Sequence, residues 1–427
     1  MNKIERDLDE LVAKGLLGED AAQNIRNYYA NKRGVSNSSL VGIFTAIGSL
    51  LVGLGIILLV AHNWDALAFG VKIFFAFLPL ALAQLFCFFT LWKRGGNKVL
   101  RESSGTLLVL SIASAISLIS QIYQIDGDIG DFLSLWILLS LAGVYLMQSS
   151  ISWIILLIAS IGYLSASGQY EEYISAAFVL SLLPYYVWLY RTNPEANALR
   201  FFNWLYPIAL IISSMSLSED GEEYGLLVLL SISSFYYVFG KKYIFEIHQR
   251  LNGYMVIGAM GIILSLIILS FEKNWRRLIE HGFNSDIRMP MLLIGLFSIL
   301  SVVVFYKLNK NNQKLDSDFN VFEWAFLLAP FFIFLTYTSD TFAVAIDNVI
   351  VFAIGILNIR RGMKQEHLGI LNLGFSILGL FVIIRFFDDS WSFLLRGALF
   401  VLVGVGMFVA NYVMIRKRKA MEVNNEK

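Results

Sequence analysis

The chain has 427 residues, 57% of them hydrophobic and only 15% charged, with a net charge of +1 and one cysteine, Cys87. Soluble domains carry roughly 25% charged residues, and the apolar runs that recur here from Leu40 to Ile415 exceed what one soluble core has room to bury. This composition excludes a soluble globular enzyme, an intrachain disulfide and a cysteine-based zinc site. A nucleic-acid partner is not expected.

Residues 1–39 precede the first apolar run. Ile4, Leu8, Leu11 and Val12 repeat at helical spacing, Gly15 and Gly18 bracket a turn, and Glu19 and Asp20 suit the start of a second helix through its dipole. Ala21, Ala22, Ile25, Tyr28 and Tyr29 supply that helix with an apolar side. The pattern predicts a cytoplasmic amphipathic helical hairpin over 3–32, packed on its own membrane domain or docking a cytoplasmic partner, with "NKRGVSNSS" as linker.

A transmembrane helical domain is predicted over 40–415, followed by a basic cytoplasmic tail at 416–427. Its expected spans are 40–61, 71–92, 104–123, 132–147, 151–166, 174–190, 201–217, 226–240, 253–271, 291–306, 321–337, 342–359, 368–385 and 393–415. A crossing needs about 20 apolar residues, and backbone in lipid must satisfy its own hydrogen bonds. The fold class is therefore all-α: a polytopic bundle of about 14 helices, or 12 plus a re-entrant pair if 132–147 and 151–166 fail to cross. Those two are short and joined by the uncharged "QSSIS".

Charge orders these spans. Cytoplasmic loops collect Lys and Arg, and alternate connections hold Lys93, Arg94, Lys98 and Arg101; Arg191 and Arg200; Lys241, Lys242 and Arg250; Lys307, Lys310 and Lys314; and Arg360, Arg361 and Lys364. Both termini are expected in the cytoplasm of a bacterium, with the chain in its inner membrane. Fusing 132–147 with 151–166 would invert every later loop. The exception is the outer loop 272–290, where Trp275, Leu278 and Ile279 share one face of an expected in-plane helix on the headgroups, with a lid over a cavity as alternative. Trp64, Trp136, Trp275 and Trp391 are expected near the outer boundary and Trp92, Trp153, Trp188, Trp204 and Trp324 near the inner one.

No phosphate loop, nucleophile elbow, His-Glu-x-x-His or dinucleotide fingerprint occurs, so no catalytic residue, cofactor or metal is assigned. The weak metal candidate is Asp126, Asp128 and Asp131, whose spacing resembles part of a calcium loop but lacks its closing Glu; a solvated cap is the plainer reading. Ionised groups are costly in the bilayer, which singles out Lys72, Asp347, Arg385, Asp388, Asp389 and Arg396 near the outer ends of helices. They form either local ion pairs or a polar vestibule on a translocation path. Pro79, Pro184, Pro207 and Pro330 fall inside spans and permit kinks. Small residues, including Ser49, Gly53, Gly258, Gly261, Gly404 and Gly406, suit close helix packing.

The amphipathic head, "LVAHNWDAL" at 59–67 and "SLISQIYQIDGD" at 117–128 resemble the bacterial family called "domain of unknown function 2157". The similarity is best over roughly residues 1–150. The resemblance implies a multi-pass membrane protein and supplies no reaction. Asn63, Trp64, Gln121, Tyr123, Gly127 and Asp128 match its pattern. The leading expectation is a transporter or flippase-like carrier of an unidentified solute. The alternative is a non-transporting scaffold or sensor acting through its hairpin. The lipid bilayer is the one partner that composition requires.

Overall fold

The computed structural model describes residues 66–166, 171–218, 223–244, 252–281, 288–311 and 320–386, with short pieces at 8, 11–12, 14–15, 17–25, 394, 397–398, 401, 404–406 and 408–409. All of its regular structure is helical among these residues. Contacts divide the chain into two compact units, 1–78 and 79–427. In the first, residues 19–25 are helical, Gly15 takes a left-handed φ of 71°, and Leu8 and Ala22 are buried. The span expected at 40–61, together with Asn63 and Trp64, lies outside the described residues.

Fifteen α-helices follow in order among the described residues. They are α1 Phe69–Arg94, α2 Lys98–Tyr123, α3 Ile129–Met147, α4 Ser150–Gly162, α5 Glu171–Ser181, α6 Leu183–Thr192, α7 Asn197–Ser216, α8 Gly225–Phe239, α9 Gly253–Leu269, α10 Glu272–His281, α11 Arg288–Asn311, α12 Val321–Trp324, α13 Leu328–Leu335, α14 Asp340–Lys364 and α15 Leu368–Phe386. By length and composition, seven spans among the described residues can cross a membrane, or eight if the bent pair α9–α10 is one span. One of the seven is the broken pair α5–α6. Large side chains such as Phe74, Leu85, Phe88, Leu146 and Ile299 stand exposed on the outside, as they do where lipid is the solvent.

The joint at 148–149 is a true reversal. Gln148 takes φ 52°, which ends α3, and Ser149 caps α4. The far end of α4 returns to the start of α3, where a Cβ on Gly130 would lie 2.6 Å from that of Ala166. The two helices are therefore an antiparallel hairpin and not one fused span.

Helix α8 is the axis of the bundle. It is apolar on all sides, its buried residues include Leu227, Leu230, Ser231, Ile232, Ser234 and Tyr236, and α7, α9, α11, α12 and α13 pack around it. A helix that is hydrophobic all round belongs inside. Glycines set its closest contact: a Cβ on Gly258 of α9 would sit 2.7 Å from both the Ser233 carbonyl oxygen and the Tyr237 nitrogen. Gly362 and Gly374 do the same for the hairpin α14–α15. The packing expected at Gly258 and Gly261 is present. At Gly404 and Gly406 a Cβ would meet nothing within 4 Å among the described residues.

Two tryptophans correct the expected interfacial belt. Trp153 and Trp275 are both fully buried. Helix α10 does not lay its apolar face on headgroups: Trp275 and Leu278 insert into the protein, with Trp275 edge-on to Phe332 at 5.4 Å. Arg276 stays exposed and binds Glu272 of its own helix and Asp340 at the start of α14, at 3.3 Å. The chain bends by 83° between α9 and α10, which lets α10 close over that end of the bundle.

Candidate functional site

At the 148–149 reversal the last carbonyls of α3 and the first amides of α4 lie side by side, with opposite partial charges and no intrahelical partners. Arg101 and Glu102, adjacent near the start of α2, answer both. Arg101 donates to the carbonyls of Met147 at 2.9 Å, Leu146 at 2.8 Å and Gly95 at 3.2 Å. The Glu102 carboxylate accepts from Ser150 N at 2.9 Å, Ile151 N at 3.1 Å and the Ser149 hydroxyl at 2.8 Å. Gly105 lets α2 come this near, since a Cβ there would stand 2.8 Å from that of Ser149. Glu102→Ala is expected to destabilise the protein by about 2 kcal/mol, the worth of a charged acceptor, and Glu102→Gln by less. Unfolding of the detergent-purified protein in SDS measures both.

The same reversal forms one wall of a cleft of 920 Å³. The connection 95–98 and the loop 192–198 form the others. Lys98, Glu195, Asn193 and Asn197 line it with charges and amides. Tyr185 and Trp188 add an aromatic side, their rings stacked with centroids 5.7 Å apart. The Tyr185 hydroxyl donates to the Gln148 carbonyl at 3.0 Å and pairs with the Ser150 hydroxyl at 3.1 Å, tying α6 to the reversal.

An aromatic cluster continues inward from Tyr185 through Phe202 to Trp153, which stacks on Phe202 at 3.8 Å. It surrounds the break between α5 and α6, where Pro184 removes a backbone donor. Carbonyls at the break are taken up by side chains from other helices. Trp153 donates to Leu182 O at 2.9 Å, Tyr206 to Val179 O at 3.2 Å, and Tyr145 to Ser181 O. Beside them the Tyr186 hydroxyl donates to Asn203 Oδ1 at 2.5 Å.

The residues singled out in the sequence lie elsewhere. Lys72 is half-buried in the first turn of α1. Asp347 is fully enclosed on the packing stripe of α14 with Ala343, Val351 and Asn358. Arg385 falls in the last turn of α15, and its side chain, like Asp388, Asp389 and Arg396, lies outside the described residues. Gln121, Tyr123, Gly127 and Asp128 gather at the exposed turn between α2 and α3. There Asp128 and Asp131 form a reciprocal helix cap, Asp131 N donating to Asp128 Oδ1 at 2.8 Å and Asp128 N to Asp131 Oδ2 at 3.4 Å. That arrangement is a capping box. Among the described residues no group of three or more His, Cys, Asp and Glu side chains is placed to hold a metal. The cleft is not legible in the sequence, because its members are scattered over three connections and Arg101 stands there as one more positive charge of a loop.

No curated protein and no solved structure matches the chain. Residues 9–153, which include the Arg101–Glu102 pair and the reversal it holds, match the model of the family described as predicted membrane protein (DUF2157).

Proposed function

We propose that this chain is a carrier in a bacterial inner membrane, with fourteen crossings, both termini in the cytoplasm and no catalytic role, and that its ligand enters at the cleft between 95–98, 148–150 and 192–198. The observation that carries this reading is the cleft: 920 Å³ of space lined by two cations, two anions, amides and stacked aromatic rings. Binding sites combine an enclosing apolar wall with a few convergent polar groups. The side assignment draws support from contacts between loops. The cleft joins 95–98 and 192–198, whose neighbouring Lys and Arg put them on the cytoplasmic side, with the uncharged 148–150, which the alternation puts there too. Lys241 of another such connection pairs with Glu323 at the start of the span 321–337. Arg276 and Asp340 join two connections assigned outside.

A ligand at a hundredfold excess over its Kd is expected to stabilise the folded state by about 2.7 kcal/mol. Thermal unfolding of the purified protein, screened across solutes, ions and lipids, reads this as a rise in Tm. No stabilisation by any class sinks the carrier.

One observation favours the second reading, a scaffold or sensor acting through the hairpin 3–32. Among the described residues, helix α8 fills the bundle axis with buried side chains and leaves no open lining along it. That reading expects a cytoplasmic protein retained by the full chain and lost when residues 3–32 are deleted, with no ligand response.

A further inference from the structure

The polar cleft is not closed at its side. A second groove of 560 Å³ runs from it along α2, and the two share Lys98 and Glu102. Ser103 and Thr106 lie near its top. Below them it is lined by Leu107, Leu110 and Ile151, which are 43%, 50% and 50% exposed and lie on helices otherwise apolar enough for lipid. The depression that the two form together therefore changes from charged at Lys98 and Glu102 to apolar at Leu107 and Leu110. A water-soluble solute has no use for the apolar half, and an annular lipid chain has no use for the polar half.

We propose that this depression holds one glycerophospholipid with an ethanolamine-type headgroup, drawn from the surrounding bilayer; the assignment rests on the carrier reading and names its substrate class. Lys98, at the junction of the two halves, meets the phosphate. Glu195, across the cleft, meets the ammonium. Arg101 and Glu102 keep their helix-capping bonds and contribute charge without moving. Trp188, 38% exposed beside the cleft, sits where an indole marks headgroup depth. One acyl chain lies in the groove of Leu107 and Leu110.

The test uses the full-length protein, stripped of lipid in mild detergent and offered mixed micelles of phosphatidylethanolamine, phosphatidylcholine or phosphatidylglycerol, with retained lipid read by native mass spectrometry. Phosphatidylethanolamine is expected to be retained in preference to the other two. Lys98→Glu is expected to lower its retention about tenfold, from reversing one charge beside a phosphate. This variant keeps its fold, because an acid in the first turn suits the helix dipole. Ser103→Trp, an exposed position filled with an indole, is expected to block the groove and lower retention while Tm stays unchanged. Equal retention of the three lipids, or retention untouched by both variants, overturns the proposal. So does protection by glycerophosphoethanolamine, which has no acyl chain, equal to that by the lipid. If water-soluble solutes alone raise Tm, the lipid assignment fails and the carrier stands. If phosphatidylethanolamine is retained but never moves between leaflets of proteoliposomes, the carrier fails and the site stands.

Discussion

Trp153→Ala is expected to lower the unfolding free energy by about 5 kcal/mol, combining the cavity left by a large core side chain with an unsatisfied carbonyl. The indole is fully buried, stacks on Phe202 at 3.8 Å and gives its N–H to Leu182 O at the α5–α6 break. Trp153→Phe separates the two contributions. It keeps most of the ring and removes only the donor, so it should cost about 1–3 kcal/mol. SDS unfolding of the purified variants gives both values. A loss below 2 kcal/mol for the alanine variant would mean that the cluster does not hold the break together.

Gly258→Ala carries the second large effect. In an exposed helix this change stabilises by up to about 1 kcal/mol through backbone entropy. Here the new methyl would stand 2.7 Å from the Ser233 oxygen and the Tyr237 nitrogen, both backbone atoms that cannot swing aside. Helices α8 and α9 must then separate, at a cost of about 2–3 kcal/mol. Gly295 of α11 is the control, since a Cβ there meets nothing within 4 Å; Gly295→Ala should be neutral or mildly stabilising. Thermal unfolding in detergent measures both, and the same sign for the two variants would contradict the packing of α8 on α9.

The helices were legible because hydropathy reports what lipid requires of a segment. Their facing was not, and Trp153 and Trp275 show why. Lipid tails and a protein interior are about equally apolar, so a tryptophan near a helix end reads as an interfacial anchor whether it meets headgroups or a neighbouring Phe202 or Phe332. The reversal at Gln148–Ser149 shows in the sequence as two short apolar runs with an uncharged link, yet what secures it does not. Arg101 stands in the sequence as one positive charge in a loop, while its hydrogen bonds to Leu146 and Met147 join positions 45 and 46 residues apart. The acidic turn was nearer to hand. Asp128 and Asp131 stand at cap and third helical positions, a spacing that carries its own capping geometry.

The enclosed helix α8 bears on how the chain is made. The elements that wrap it come from both directions in the sequence, α7 before it and α9, α11, α12 and α13 after it. During synthesis it must therefore emerge with most of its neighbours still untranslated, and at roughly 5–20 residues per second it waits several seconds until Leu335 has left the ribosome. For that interval Ser231 lacks its later acceptor, the Ile294 carbonyl. Nascent chains truncated soon after Phe239 should then hold this segment where lipid-soluble crosslinkers reach it, and chains extended past Leu335 should shield it.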